Sequence, residues 1–135
     1  MPILDFRFNK IKAENNLKQI SKEGVQVDMK VDFTDVEEFP KIKDSPTSAL
    51  KVGFEFTLGY KEYGNINLTG FIIYGDENKK IKKIADSWKK DKKLEKEVST
   101  LLINNILIKT NVRALALAQD VNLPLHLRMP ALAKD

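Results

Sequence analysis

The sequence predicts an α+β fold: a four-stranded antiparallel sheet followed by a short lysine-rich helix, a long apolar helix and an extended Leu/Pro-rich tail. Three observations lead there. Apolar and polar residues alternate with period two through much of the first 75 residues, the apolar spacing changes to three and four beyond Asp76, and no proline interrupts the chain between Pro46 and Pro124. Period two belongs to a strand with one buried face, and a spacing of three and four belongs to one face of a helix.

In the first segment Leu4, Phe6 and Phe8 alternate with Asp5, Arg7 and Asn9, and the pattern fades toward Asn15-Asn16. After the turn-like Lys22-Glu23-Gly24, Val25, Val27, Met29, Val31 and Phe33 alternate with Gln26, Asp28, Lys30 and Asp32, which predicts a half-buried second strand. Pro40 and Pro46 punctuate residues 35–48, read as a connection because proline breaks a hydrogen-bonded ladder. A third strand follows, with Val52, Phe54, Phe56, Leu58 and Tyr60 on one face. Glu62-Tyr63-Gly64-Asn65 supplies a turn, and Ile66, Leu68, Ile72 and Tyr74 form the fourth strand, the second arm of a hairpin. Phe71 and Ile73 point to the opposite face, so both faces of this strand end are apolar. Either a helix covers one side and a loop or second subunit the other, or an apolar groove is left for a ligand chain.

Within residues 80–90, Ile81, Ile84, Ala85 and Trp88 share one face of a short helix whose other face is lysine. From Leu94 the pattern of Val98, Leu101, Leu102, Ile106, Ile108, Val112, Leu115 and Val121 predicts a helix of about 25 residues and about 38 Å. Apolar residues occupy most of its circumference, and one sheet covers one face. The expected second covering is a copy of the chain, the tail Leu123 to Leu132, or both. Val98, Leu101, Ile108 and Val112 are expected against the sheet, which leaves Leu102, Ile106 and Leu107 as the oligomer interface.

A length of 135 residues fits one domain, spanning 1–135. With 42% hydrophobic and 31% charged residues the chain buries a core and solvates its surface. The absence of cysteine excludes disulfides and thiolate chemistry and fits the cytoplasm. Early charges interrupt any signal-peptide core, and no apolar run approaches the roughly 18 to 20 residues of a membrane span, so no membrane insertion is expected.

Chemistry-bearing constellations are sparse. His126, the only histidine, sits between Leu125 and Leu127 and supplies at most one ligand of its type, so it reads as structural and no metal is expected. The glycines lack phosphate-loop or dinucleotide spacing, and Asp28, Asp32, Glu37 and Glu38 read as solvated surface rather than an acid/base pair. No cofactor and no catalytic residue follow, and an enzyme is not expected. The formal charge of +4 is concentrated: residues 1–75 carry 10 basic and 11 acidic side chains, residues 76–135 carry 13 and 8. Acidic residues interleave with the lysines of 79–96, which favours a solvated helix face over a nucleic-acid site.

The strand pair ending in Phe71-Ile72-Ile73-Tyr74-Gly75, the helical text from Asn105 ending in Ala114-Leu115-Ala116-Leu117-Ala118, and the following Leu123-Pro124-Leu125-His126-Leu127-Arg128-Met129-Pro130 together resemble the SecB and SecB-like export chaperone family. The resemblance covers the whole chain by order of elements and the last third by recognisable text. It implies a subunit that assembles into dimers or tetramers and holds unfolded polypeptide clients in apolar grooves. It further implies a role in protein export with a translocation motor or, equally, service to a toxin-antitoxin pair. The candidate client-binding residues are Phe71 and Ile73, with Phe54, Phe56 and Tyr60 nearby, and Leu125, Leu127 and Met129 of the tail; for Phe54 and Phe56 the core is the better reading. The alternatives are a nucleic-acid-binding module, which predicts salt-sensitive binding through the lysine helix, and a scaffold with a fixed folded partner.

Overall fold

The computed structural model describes residues 3–18, 26–40 and 43–124. Four strands, β1 (Ile3–Asn15), β2 (Asp28–Glu38), β3 (Thr47–Gly59) and β4 (Gly64–Glu77), precede two helices, α1 (Asn78–Asp91) and α2 (Lys96–Asp120). A single 3-10 turn at Lys61–Tyr63 closes the β3–β4 hairpin. The sheet is antiparallel throughout in the order β1-β4-β3-β2, so β2, β3 and β4 form a meander and β1 joins its far edge beside β4. The α+β fold expected from the alternation and the change of period is therefore the observed one.

The expected strands are extended at their ends. The 35–48 connection is shorter than expected: β2 continues through Val36, which is buried and pairs with Val52, and β3 begins at Thr47. A register shift between Phe33 and Asp35 restores Val36 to the buried face after the alternation has slipped by one. A similar shift between Phe8 and Lys10 explains why the first strand fades in the sequence. Beyond that bulge Ile11 and Ala13 pair with Leu68 and Ile66, which puts them back on the face of Phe6 and Phe8.

Both helices cover the same face of the sheet. Toward one end Ile81, Ile84, Ala85 and Trp88 of α1 join Val98, Leu102 and Ile106 of α2 against Leu50, Val52, Phe54, Ile72 and Tyr74. Toward the other, Ala114, Leu117 and Ala118 meet Phe56, Leu58, Tyr60, Ile66 and Leu68. Gly70 serves the first cluster. A Cβ there would collide with the Arg7 carbonyl and come 2.9 Å from Phe54 Cζ, where the rings of Phe6, Phe8 and Phe54 lie within 5.1–6.2 Å of one another.

The face of α2 that meets the sheet is not the expected one. Leu102 and Ile106, assigned to an oligomer interface, are fully buried against the sheet, and Leu107 is half-buried against the second cluster. Leu101, Ile108 and Val112, assigned to the sheet, face solvent, the last two 66% exposed; of that set only Val98 is buried. The sheet-facing line runs through Val98, Leu102, Ile106, Thr110, Ala114 and Ala118 in steps of four. Thr110 fits because its hydroxyl donates to the Ile106 carbonyl at 2.6 Å, so burial leaves no unsatisfied polar group. The helix also departs from the sequence reading in being long and apolar enough, by length and composition, to cross a membrane. Here one face is packed on the sheet, as in the core helix of a folded domain.

The C-terminal end of α2 is tied to the sheet. Asn15 Nδ2 donates to the Val121 carbonyl at 2.8 Å, and the Tyr60 hydroxyl donates to the Pro124 carbonyl at 2.7 Å.

Two sets of substitutions separate the faces of α2. Leu102→Ala or Ile106→Ala should cost about 2–5 kcal/mol in urea denaturation, as cavity formation in a packed core does. Ile108→Ala and Val112→Ala should change stability by less than about 0.5 kcal/mol when the chain is measured dilute enough to be monomeric.

Candidate functional site: an apolar groove at one end of the sheet

The residues expected to bind a client separate into three groups. Phe54, Phe56 and Tyr60 are at most 1% exposed and belong to the core beneath the helices, so no ligand chain reaches them in this conformation. Phe71 and Ile73 are half-buried on the opposite, helix-free face, where the Lys51 ammonium lies 4.6 Å from the Phe71 ring centroid. Leu125, Leu127 and Met129 lie outside the described residues.

Most of the helix-free face is polar. Asn67 Nδ2 donates to Glu55 at 2.9 Å and to Thr57 at 3.0 Å, and the Thr69 hydroxyl donates to Asn9 at 2.7 Å. Toward the end that bears Ile73 the chemistry changes. Beyond Ile73 the strands place Gly75 beside Ala49, and the Phe39 amide donates to the Ala49 carbonyl at 3.0 Å, bringing Phe39 alongside. Leu4 covers Gly75: a Cβ added there would lie 2.9 Å from Leu4 Cδ1. Leu4, Phe39, Pro40 and Ala49 line an open groove of about 540 Å³.

The sequence hid this groove for two reasons. Strict alternation groups Leu4 with Phe6 and Phe8, but the register shift between Ile3 and Asp5 turns Leu4 onto the opposite face. Phe39 and Pro40 fall in what reads as a connection. The signal in the sequence was Phe71 and Ile73, which point to the same face but lie short of its apolar end.

The polar groups beside the groove are fixed from within. Asp76, whose side chain is 8% exposed, accepts hydrogen bonds from the Tyr74 hydroxyl at 2.7 Å and the Glu77 amide at 2.8 Å and lies 3.5 Å from Lys80 Nζ. Desolvation pushes the Asp76 pKa up, but the Tyr74 and Glu77 hydrogen bonds and the Lys80 charge outweigh it, and the net direction is down. The Tyr74 hydroxyl is held well above its ordinary range by burial first and by its bond to Asp76 second, so it stays a neutral donor. Two buried acceptors in this region, Ser48 Oγ and Asn78 Oδ1, have no hydrogen-bond partner. Among the described residues no group of three or more His, Cys, Asp or Glu is placed to hold a metal ion. The arrangement offers apolar area and a few fixed polar atoms, which is suited to contact with side chains of another polypeptide.

Because the folded pKa of Asp76 lies below the unfolded value of about 3.9, its contribution is fully present above that value and is lost as pH falls through the folded one. Asp76→Asn should cost on the order of 1–2 kcal/mol at neutral pH. Denaturant titrations of the two proteins should converge as the pH is lowered below about 4.

No family model matches the sequence, and no curated protein matches it. Among solved structures the chain is similar to the SecB-like chaperone Rv1957 of Mycobacterium tuberculosis, determined in complex with a ChAD peptide from the Rv1956 HigA1 antitoxin. The identity is 10%, the TM-score 0.52, and the match covers 99% of this chain and 91% of that one. The likeness extends over nearly the whole of both chains and shows that they share a fold.

Proposed function

We propose that this protein is a chaperone-like binder of non-native polypeptide, without enzymatic activity, that receives apolar client side chains in the groove lined by Leu4, Phe39 and Ala49 and continued by Ile73 and Phe71. The observation that carries this reading is the groove itself: exposed apolar surface gathered at one end of an otherwise polar sheet face, on a fold shared with a protein solved holding a peptide. Burial of apolar area stabilises such a complex by roughly 25 cal/mol per Å² and is indifferent to sequence, as a binder of many unfolded chains requires. The exposed line Leu101, Ile108 and Val112 of α2 supplies the self-association face of a dimer or tetramer, in place of Leu102 and Ile106. Leu125, Leu127 and Met129 are proposed as further client-contact residues.

A second reading concerns the client. The structural neighbour is described as bound to a peptide of an antitoxin. A chaperone serving a toxin-antitoxin pair is therefore favoured over a general role in export, for which the helix-free face offers no comparable pointer.

Light-scattering masses, taken with and without a reductively unfolded client, test the proposal. The protein should run as a dimer or tetramer and take up the unfolded chain but not its native form. Ala49→Glu and Leu4→Asp should each weaken uptake by about tenfold or more, equivalent to about 1.4 kcal/mol, with circular dichroism unchanged. Failure of the wild-type protein to bind would overturn the chaperone reading, and binding unaffected by either substitution would move the site away from this groove.

A further inference from the structure

A second concave surface lies on the other side of the molecule, where β2, the end of α1 and the start of α2 meet. Phe33 of β2, Trp88 of α1, Leu94 of the connection and Ile103 of α2 bound an opening of about 390 Å³. Phe33, Leu94 and Ile103 are only partly buried, because β2 is an edge strand that neither helix fully covers. Lys92 and Lys93 form the rim.

Two lysines and one carboxylate line this opening, and the lysines belong to the most basic stretch of the chain. Residues 79–96 hold nine lysines and three carboxylates, a net of +6 against +4 for the whole chain, so the remaining 117 residues together carry −2. Of the lysines in α1 and the connection after it, only Lys80 makes an ion pair among the described residues. Asp32, the one carboxylate lining the opening, is already paired with Lys30 at 3.5 Å. Lys92 holds its ammonium 5.8 Å from the Trp88 ring centroid, at the edge of the apolar floor. An apolar floor with an unpaired cationic rim selects a partner of complementary character: apolar side chains to fill the opening and carboxylates to meet the lysines.

We propose that this groove docks an acidic, apolar polypeptide segment of a partner protein, at a site separate from the client groove. A nucleic acid fits less well. Its backbone offers no aliphatic side chains for Phe33, Leu94 and Ile103, and the rim presents lysine rather than the arginine or amide groups that read base edges.

Trp88 is the sole tryptophan, so its emission reports occupancy directly. The test titrates the full chain with three probes: a synthetic peptide of about twelve residues alternating Leu and Glu, long enough when extended to cross the groove, its counterpart with Lys for each Glu, and a single-stranded oligodeoxythymidylate. The Leu/Glu peptide should shift Trp88 emission and bind at least about tenfold more tightly than the Leu/Lys peptide. Its affinity should fall about tenfold or more when ionic strength rises from about 50 to about 500 mM, and by a similar factor in the double variant Lys92→Glu, Lys93→Glu and in Ile103→Asp. Both variants should retain uptake of unfolded client through the Leu4 groove, which separates failure of this proposal from failure of the chaperone reading. Equal binding of the two peptides, no binding of the acidic one, or indifference to the lysine reversals would overturn it. Tighter binding of the oligonucleotide, displacing the acidic peptide, would replace it with a nucleic-acid site.

Discussion

The structure depends on the burial of one continuous apolar surface, formed where β3 and β4 pair. Leu50, Val52, Phe54, Phe56 and Leu58 on one strand, Tyr60 just beyond it, and Ile66, Leu68, Ile72 and Tyr74 on the other are almost wholly removed from water. At roughly 1.5–3 kcal/mol for each large side chain buried, this surface supplies much of the driving force that offsets chain entropy. It also dictates the course of the rest of the chain. Both helices are drawn to the same side, the outer strands add their own apolar residues to it, and the other sheet face is left without a helical cover.

That asymmetry creates the apolar groove. On the helix-free face the middle of the sheet satisfies itself with Asn, Thr and Glu side chains bonded across strands. At its end, the bulge near Leu4 and the bond of the Phe39 amide to the Ala49 carbonyl just beyond β2 leave apolar groups with no such cover. The second groove lies at the β2 edge of the same layer: α1 packs against β2 but leaves Phe33 only partly covered, and Lys92 and Lys93, which follow α1, border the gap.

The helix α2 shows how an apolar composition leaves a choice to the tertiary structure. Its circumference offers two lines of large aliphatic residues, and either would serve as a core face. The line chosen includes Thr110, Ala114 and Ala118, whose small side chains permit close approach to β3 and β4, and it ends where Asn15 and Tyr60 anchor the chain beyond Asp120. The rejected line, Leu101, Ile108 and Val112, remains at the surface.

The sequence by itself determined the strands, the helices, their order and the inward residues of β3 and β4, because strict alternation and three-four spacing are local properties that each residue carries in its neighbours. It also indicated a second apolar face through Phe71 and Ile73. Only the tertiary structure decided the sheet order, with β1 beside β4 rather than β2, since hydrogen-bonded pairing between distant segments leaves no periodic trace. It alone decided which line of α2 is buried, because a helix apolar nearly all round has no preferred side until a sheet is placed against it. The bulges at Leu4, Asn9 and Thr34 likewise move residues from one face to the other without any change in composition, and that reversal is why Leu4 and Phe39, rather than the aromatic residues of β3, line the groove.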